Sequence, residues 1–181
     1  EQTVSTAPEK YVETIKVILA DSEIPNAYAY AGLRGLISAQ YEYSVVEDIY
    51  LKMISLLNPD INENRPSELL SLIRQSEYFV ESKNPLRKEI VDFLTVVVRE
   101  YNDKREDKEE DENESAPYQT GINEVRGSAC EYLMECYRHK EYKEAIFSAY
   151  ETLPGNATIH TRSAVLFKMA LLNFLDTKRS L

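Results

Sequence analysis

Apolar residues recur at intervals of three and four along almost the entire chain, and this spacing restricts the fold more than any other feature. Such intervals place apolar side chains on one face of an α-helix, whereas a half-buried strand would alternate apolar and polar residues. Only five glycines occur among 181 residues, which disfavours folds built on many tight turns. The sequence therefore predicts an all-α protein.

Prolines and capping residues divide this pattern into about eight helices. Five are expected before residue 102, over about 8–21, 25–42, 44–57 and 66–80, and from the Asn84-Pro85 pair onward. The fifth contains the run TVVV, which favours a strand by propensity. A capping asparagine followed by proline favours a helix, and we assign one. The last three are expected over about 123–137, 142–152 and 158–176.

The stretch NDKREDKEEDENES interrupts the helical pattern after residue 101. It is rich in acids and lacks apolar side chains, so it has nothing to bury in a core. We expect residues 102–117 to be an acidic, mobile linker or long loop between helical regions at 1–101 and 118–181. A cation site in this run is the weaker interpretation, because no glycine turn or EF-hand spacing organises the carboxylates.

The net charge of −10 argues against nucleic acid as a partner, since neutralising phosphates requires clustered lysine and arginine. No apolar run has the length of a membrane span, so no membrane partner is expected either. Cys130 and Cys136 are the only cysteines, and their spacing on one predicted helix makes a disulfide between them unfavourable. We therefore expect a reducing, cytoplasmic setting.

Residues with catalytic or metal-binding chemistry are few. His139 and His160 belong to no metal-ligand spacing, and both cysteines lie on a helix predicted to pack, as buried structural thiols do. No nucleotide-binding loop is present, because no glycine in the chain is followed by lysine. We expect no cofactor, no metal and no enzymatic activity.

Thirteen tyrosines occur without a single tryptophan, and several of them gather in the second and third predicted helices. Tyrosine buries a large ring while keeping a polar tip, which suits both helix packing and binding surfaces. We favour the packing role, and keep a partner-binding face formed by four of them as the alternative: Tyr28, Tyr30, Tyr41 and Tyr43.

An Arg-Gly-Ser-Ala sequence at Arg126 is echoed by Arg-Ser-Ala at Arg162, and more loosely by the pair Arg34-Gly35. The interval from Arg126 to Arg162 contains a helix, a short turn and a second helix. This arrangement indicates antiparallel helix pairs in a HEAT- or armadillo-like α-solenoid. We expect Asn123 to cap the helix that follows it, and Gly127 to allow a neighbouring helix to come close. The Arg126 guanidinium should reach polar groups in the turn of an adjacent repeat unit, because its charge opposes the dipole of its own helix and needs a partner that offsets the cost.

The stretches GINEVRGSACEYL and HTRSAVLFKMALLNFLD resemble the helical-repeat regions of large bacterial STAND-type P-loop NTPases, a family that includes antiphage defence proteins. The matching positions, in residues 121–181, are Asn123, Arg126, Gly127, Arg162, Asn173 and Asp176. The resemblance implies a repeat segment of a longer protein with a sensor or regulatory role. Its partner would be another protein or other domains of the same chain.

Three functions remain open at this point. The leading one is a non-catalytic helical repeat module for protein recognition or regulation, as a fragment of a larger NTPase. A free-standing helical scaffold or adaptor and a small helical enzyme are the alternatives. The last predicted helix is apolar almost all round, so we expect one side of it to lack cover and the chain to be truncated at its C-terminus.

Overall fold

The structure, a computed structural model, describes residues 2–21, 23–57, 61, 66–76, 86–102, 117–153, 155 and 157–175. These residues form ten α-helices and three short 3₁₀ turns, with no β-strand among them. The predicted all-α class is confirmed. None of the described helices combines the length and the apolar character needed to cross a lipid bilayer.

The chain divides into two compact units. Unit 1 comprises Glu1–Asp60 and Asn64–Asn84, and unit 2 comprises Ile61–Glu63 and Pro85–Leu181. The predicted helical region 1–101 therefore includes parts of both units.

Unit 1 is organised around its third helix. Its helices are α1 (Gln2–Thr6), α2 (Val12–Ala20), α3 (Asn26–Ser38), α4 (Tyr43–Leu57) and α5 (Ser67–Ser76), with a 3₁₀ turn at Pro8–Lys10. The α3 helix contacts each of the other four, and its Leu33 and Leu36 are fully buried. A Cβ atom on Gly32 would lie only 2.6 Å from Cγ1 of Ile15. The missing side chain thus lets α2 pack closely on α3.

The end of α3 differs from the prediction, since the helix stops at Ser38, four residues early. Gln40 takes a left-handed conformation with φ 50°. The N–H of Gln40 donates to the carbonyl of Ile37 at 2.9 Å, and the N–H of Tyr41 donates to that of Leu36 at 3.0 Å. This is a Schellman ending, which usually carries glycine at the left-handed position. Glutamine there gave no stop signal in the sequence.

Unit 2 is organised around α8. Its helices are α6 (Lys88–Glu100), α7 (Pro117–Asn123), α8 (Val125–Glu135), α9 (Lys143–Glu151) and α10 (Ile159–Leu175), with 3₁₀ turns at Cys136–Arg138 and Lys140–Tyr142. The α8 helix contacts α6, α7 and α10, while α9 packs on α6. Both α1 and α7 are additions to the predicted set. The sequence pattern missed them because each has seven residues or fewer, too short to show a helical period.

The α6 helix confirms the helical assignment of the TVVV run. Six of its residues form one buried apolar face at three- and four-residue spacing: Ile90, Val91, Phe93, Leu94, Val97 and Val98. That face packs on α8 and α9, which is why α6 belongs to unit 2 although the sequence grouped it with the earlier helices.

The helix begins later than predicted, at Lys88, because Leu86 and Arg87 precede the first helical turn. Asn84 and Pro85, the predicted cap and first helical residue, lie outside the described residues. Leu86 is buried, and its carbonyl accepts a hydrogen bond from the Tyr142 hydroxyl at 3.0 Å. This contact ties the segment before α6 to the 3₁₀ turn at Lys140–Tyr142.

Some predictions fall on residues that the structure does not describe. These are 103–116 of the predicted linker, 77–80 of the fourth predicted helix, and Asp176. The solenoid arrangement likewise stays a prediction.

Candidate functional site

Three backbones come unusually close where α7, α8 and α10 meet. A Cβ atom on Gly127 of α8 would lie 1.9 Å from the carbonyl oxygen of Gly121 in α7. A Cβ atom on Gly121 would lie 2.2 Å from the carbonyl oxygen of His160 in α10. Only glycine fits at either position, so the expected role of Gly127 in close helix approach is confirmed.

A buried polar cluster spans the same junction. Glu124 Oε1 lies 3.0 Å from His160 Nδ1, and the Thr158 hydroxyl donates to Glu124 Oε2 at 3.1 Å. The Thr158 oxygen also accepts the Thr161 N–H at 3.1 Å, which is the geometry of an N-cap for α10. The cluster thus connects the start of α8 to the start of α10.

A carboxylate beside an imidazole has the chemistry for proton transfer, but access decides what this pair can do. The side chains of Glu124 and His160 are each 6% exposed, so a substrate could reach them only if α10 moved away. The pair therefore acts as a polar link between helices. The sequence gives no sign of this pair, because the partners are separated by 36 residues and share no motif.

Arg126 is fully buried in unit 2. Its Nε donates to the carbonyl oxygen of Val98 at 2.8 Å, within the last turn of α6, where carbonyls have no partner inside their own helix. The negative end of the α6 dipole offsets the positive charge that Arg126 brings to the first turn of α8. The guanidinium thus binds a polar group at the end of a neighbouring helix, and the expectation that this helix belongs to an adjacent repeat unit stays a prediction.

Asn123 does not cap α8. It is the last residue of α7, and its Nδ2 donates to the carbonyl oxygen of Gln119 at 2.7 Å. The N-cap position belongs to Glu124, whose backbone is extended and which forms no side-chain capping hydrogen bond. The prediction is wrong because α7 was not foreseen, so Asn123 is already part of a helix.

The other residues of the Arg-Gly motif lie in or near α10. Arg162 Nη2 donates to the carbonyl oxygen of Gly155 at 2.6 Å, in the turn before the helix. Asn173 lies in the last turns of α10, although the position of its side chain is not described.

One side of α10 is exposed and largely apolar. We call it the outer face, and define it by Ile159, Arg162, Leu166, Phe167 and Ala170. The exposed fraction is 47% for Ile159, 68% for Leu166 and 50% for Phe167. The Phe167 ring contacts that of Tyr118 in α7, with centroids 4.2 Å apart. This contact covers part of the phenylalanine and extends the apolar surface onto α7.

The opposite side of α10 packs on α7 and α8. Ala164 and Val165 are buried there, and Lys168 forms an ion pair with Glu131 of α8 at 2.8 Å. The predicted contrast between a covered and an uncovered side thus holds for Val165 and Phe167. Met169, expected on the same side as Val165, is half-buried, and the side chains of the remaining residues of that prediction, Leu171, Leu172 and Phe174, are not described.

The tyrosines of unit 1 do not share one environment. Tyr28 is 63% exposed, whereas Tyr30, Tyr41 and Tyr43 are half-buried, and burial raises the pKa of Tyr30. Tyr50 is fully buried, and its hydroxyl donates to the carbonyl oxygen of Leu69 at 3.1 Å. This range of burial fits the packing role better than a continuous binding face.

Both cysteines are buried, as predicted. Burial raises the pKa of the Cys136 thiol to about 12, so almost none of it is thiolate at neutral pH. The Tyr150 hydroxyl donates to the carbonyl of Cys130. Within the part of the chain that the structure describes, no cluster of histidine, cysteine and acidic side chains has the arrangement of a metal site.

In comparisons with known proteins, no family model matches the chain, and neither a curated protein nor a solved structure matches it significantly.

Proposed function

We propose that this chain is a non-catalytic α-helical module that recognises another protein, and that the outer face of α10 is its docking surface. The observation that carries the proposal is the exposure of Ile159, Leu166 and Phe167 on that face. Removing one large apolar side chain from water is favourable by about 1.5–3 kcal/mol. Three of them on one helix mark a place where a partner gains binding energy.

The buried contacts among α7, α8 and α10 support this role, because they hold α10 in a fixed position. The link between Glu124 and His160 and the close approach at Gly121 and Gly127 position α10 against α7 and α8. A rigid helix loses little conformational entropy when a partner binds, so more of the contact energy appears as affinity.

We further propose that the module belongs to the helical-repeat region of a larger bacterial STAND-type NTPase, where it acts as a cytoplasmic solenoid segment with a sensor or regulatory role. The resemblance of residues 121–181 to such regions supports this assignment. If it is right, the reading frame that encodes this chain also contains a G-x-x-x-x-G-K-[ST] loop upstream. A complete reading frame without that loop would contradict it and favour the free-standing adaptor.

The docking surface can be tested by photo-cross-linking in the cells from which the sequence comes. A photoreactive amino acid replaces Leu166 in one variant and Val17 in the control. Val17 is an apolar residue of α2 in unit 1, and its 63% exposure is close to the 68% of Leu166. We expect a discrete cross-linked protein from position 166 alone. Equal cross-linking from both positions, or none from either, would contradict the proposal.

The non-catalytic character has its own test. Titration of the chain with Mg-ATP in a calorimeter should give only the heat of dilution. Saturable binding in the micromolar range would show that the chain holds a nucleotide site and would contradict the proposal.

A further inference from the structure

The geometry points to an amphipathic α-helix of a partner protein, with a carboxylate beside its apolar stripe, as the occupant of the outer face of α10. This inference rests on the proposed docking function and adds the chemical class of the partner. Three properties of the face carry it, namely its shape, its charge and the location of Arg162.

The shape of the outer face fits another helix. Ile159, Leu166 and Ala170 follow one another at intervals of seven and four residues, which places them along a single ridge. The ridge is about 16 Å long at 1.5 Å per residue. Ser163, half-buried beside it, has a small side chain that allows the backbone of a second helix to approach. Helices pack by fitting such ridges into grooves.

The two helices that form this surface, α7 and α10, carry a charge opposite to that of the chain as a whole. The chain carries 31 acidic residues and a net charge of −10. The α7 sequence PYQTGIN and the α10 sequence IHTRSAVLFKMALLNFL contain no acidic residue at all. Lys168 of α10 is engaged with Glu131, so the cation on the outer face is Arg162. A surface of this kind is complementary to an apolar stripe with a negative edge.

Arg162 lies where it can make that contact. It is exposed, and it lies three residues after Ile159 and four before Leu166, on the same side of the helix. Its hydrogen bond to the Gly155 carbonyl at 2.6 Å restrains the guanidinium. A planar guanidinium presents five N–H donors and binds a carboxylate through two parallel hydrogen bonds.

Two occupants drawn from residues 1–181 themselves fit less well. The acidic segment 103–116 has no apolar side chain apart from Ala116, so it would leave Leu166 and Phe167 uncovered. A second copy bound symmetrically through this face would bring Arg162 to both sides of the contact, without a carboxylate from α7 or α10 opposite either one.

The test uses two synthetic helical peptides, each three heptads long, with the same leucine stripe. They differ only at the positions beside the stripe, which carry glutamate in one peptide and lysine in the other. Binding to the full chain is measured by fluorescence anisotropy at 0.15 M salt. At this salt concentration the long-range effect of the chain's negative net charge on either peptide is screened over about 8 Å, while a direct contact between side chains persists.

We expect the glutamate peptide to bind about fivefold more tightly than the lysine peptide, which is the upper range for an exposed ion pair. Arg162→Glu should reverse the preference. Lys140→Glu is the matched control, because it makes the same charge change at an exposed residue of a 3₁₀ turn, and it should leave the preference intact. Leu166→Asp should weaken the binding of both peptides.

Each remaining outcome contradicts a different claim. Equal binding of both peptides that Leu166→Asp abolishes would overturn the carboxylate inference and leave the docking surface intact. Failure of both peptides to bind would count against the surface itself. A dimer in light scattering that Leu166→Asp dissociates, without binding of either peptide, would show that the occupant is a second copy.

Discussion

The two Arg-Gly pairs of the chain look alike in sequence and differ in what they do. In unit 1, the Arg34 side chain is 27% exposed, and its Nη2 pairs with Glu68 of α5 at 2.8 Å on the surface. In unit 2, Arg126 is fully buried and its Nε donates to the backbone of α6. A surface ion pair contributes about 0–1 kcal/mol, whereas a buried, charge-assisted hydrogen bond contributes more.

Two glycines at close helix contacts also differ: Gly32 of α3, three residues before the Gly35 of the unit 1 pair, and Gly127 of the unit 2 pair. The close neighbour of Gly32 in unit 1 is the side chain of Ile15, whereas Gly127 in unit 2 meets the backbone of Gly121. A side chain can change its rotamer, but a helical backbone cannot shift without loss of its hydrogen bonds. The close approach at Gly127 is therefore less tolerant of an added side chain than the one at Gly32.

The largest effect should come from the two arginines. Arg126→Ala removes a large buried side chain and leaves the Val98 carbonyl without this donor, so we expect the free energy of unfolding to fall by about 4 kcal/mol. Arg34→Ala should lower it by less than about 1 kcal/mol. Urea denaturation of both variants measures the difference. A similar loss of unfolding free energy in the two variants would show that the burial of Arg126 does not make it more important than Arg34.

The glycines should give the next largest contrast. Gly127→Ala forces a Cβ against the carbonyl of Gly121, and we expect a loss of about 2–3 kcal/mol in the free energy of unfolding. Gly32→Ala should cost much less, because the Ile15 side chain can move and alanine favours the helix by about 1 kcal/mol. Gly155→Ala, in open space, is the control. A stable Gly127→Ala protein would contradict the close approach of α7 and α8.

Alkaline pH should act on unit 2 through Cys136. Its folded pKa, raised to about 12 by burial, exceeds the ordinary thiol value, so the unfolded chain loses its proton first. The contribution of the thiol to the free energy of unfolding is fully present below pH 9. Above pH 9 this contribution falls by about 1.4 kcal/mol per pH unit. Unfolding of the protein and of Cys136→Ala should be compared between pH 8 and 10. The same slope in both would exclude the thiol as the cause.

The smallest effect should be a gain in unit 1. Gln40 occupies a left-handed conformation that costs other residues about 1 kcal/mol relative to glycine. Gln40→Gly should raise the free energy of unfolding by about 0.5–1 kcal/mol, measured as a higher melting temperature. Ala39→Gly, one residue earlier and with φ −78°, should give no gain. A higher melting temperature in both variants would show that the left-handed conformation of Gln40 is not the cause of the gain.

Much of the fold was accessible from the sequence where local forces decide it. The helical character of α2, α4, α9 and α10 follows from apolar spacing and from proline punctuation, both of which act within a few residues. The structure departs from the predicted bounds at the end of α3, Ser38, and at the start of α6, Lys88. The left-handed conformation of Gln40 and the burial of Leu86 accompany these ends, and neither has a sequence signal.

The candidate site shows the same division. The exposed side of α10 was expected from an excess of apolar residues over what its neighbours can cover. By contrast, the capping role predicted for Asn123 is not realised, because Glu124 occupies the N-cap position, and no sequence pattern predicts the link between Glu124 and His160.

By itself, the sequence determined the helical class, the approximate extent of most helices and the apolar excess of α10, because these follow from propensity and periodicity along the chain. Only the tertiary structure decided which unit α6 joins, which carbonyl Arg126 binds and which backbone requires Gly127. Each of those outcomes depends on contacts between residues far apart in sequence, and their free energy appears only when the helices have packed.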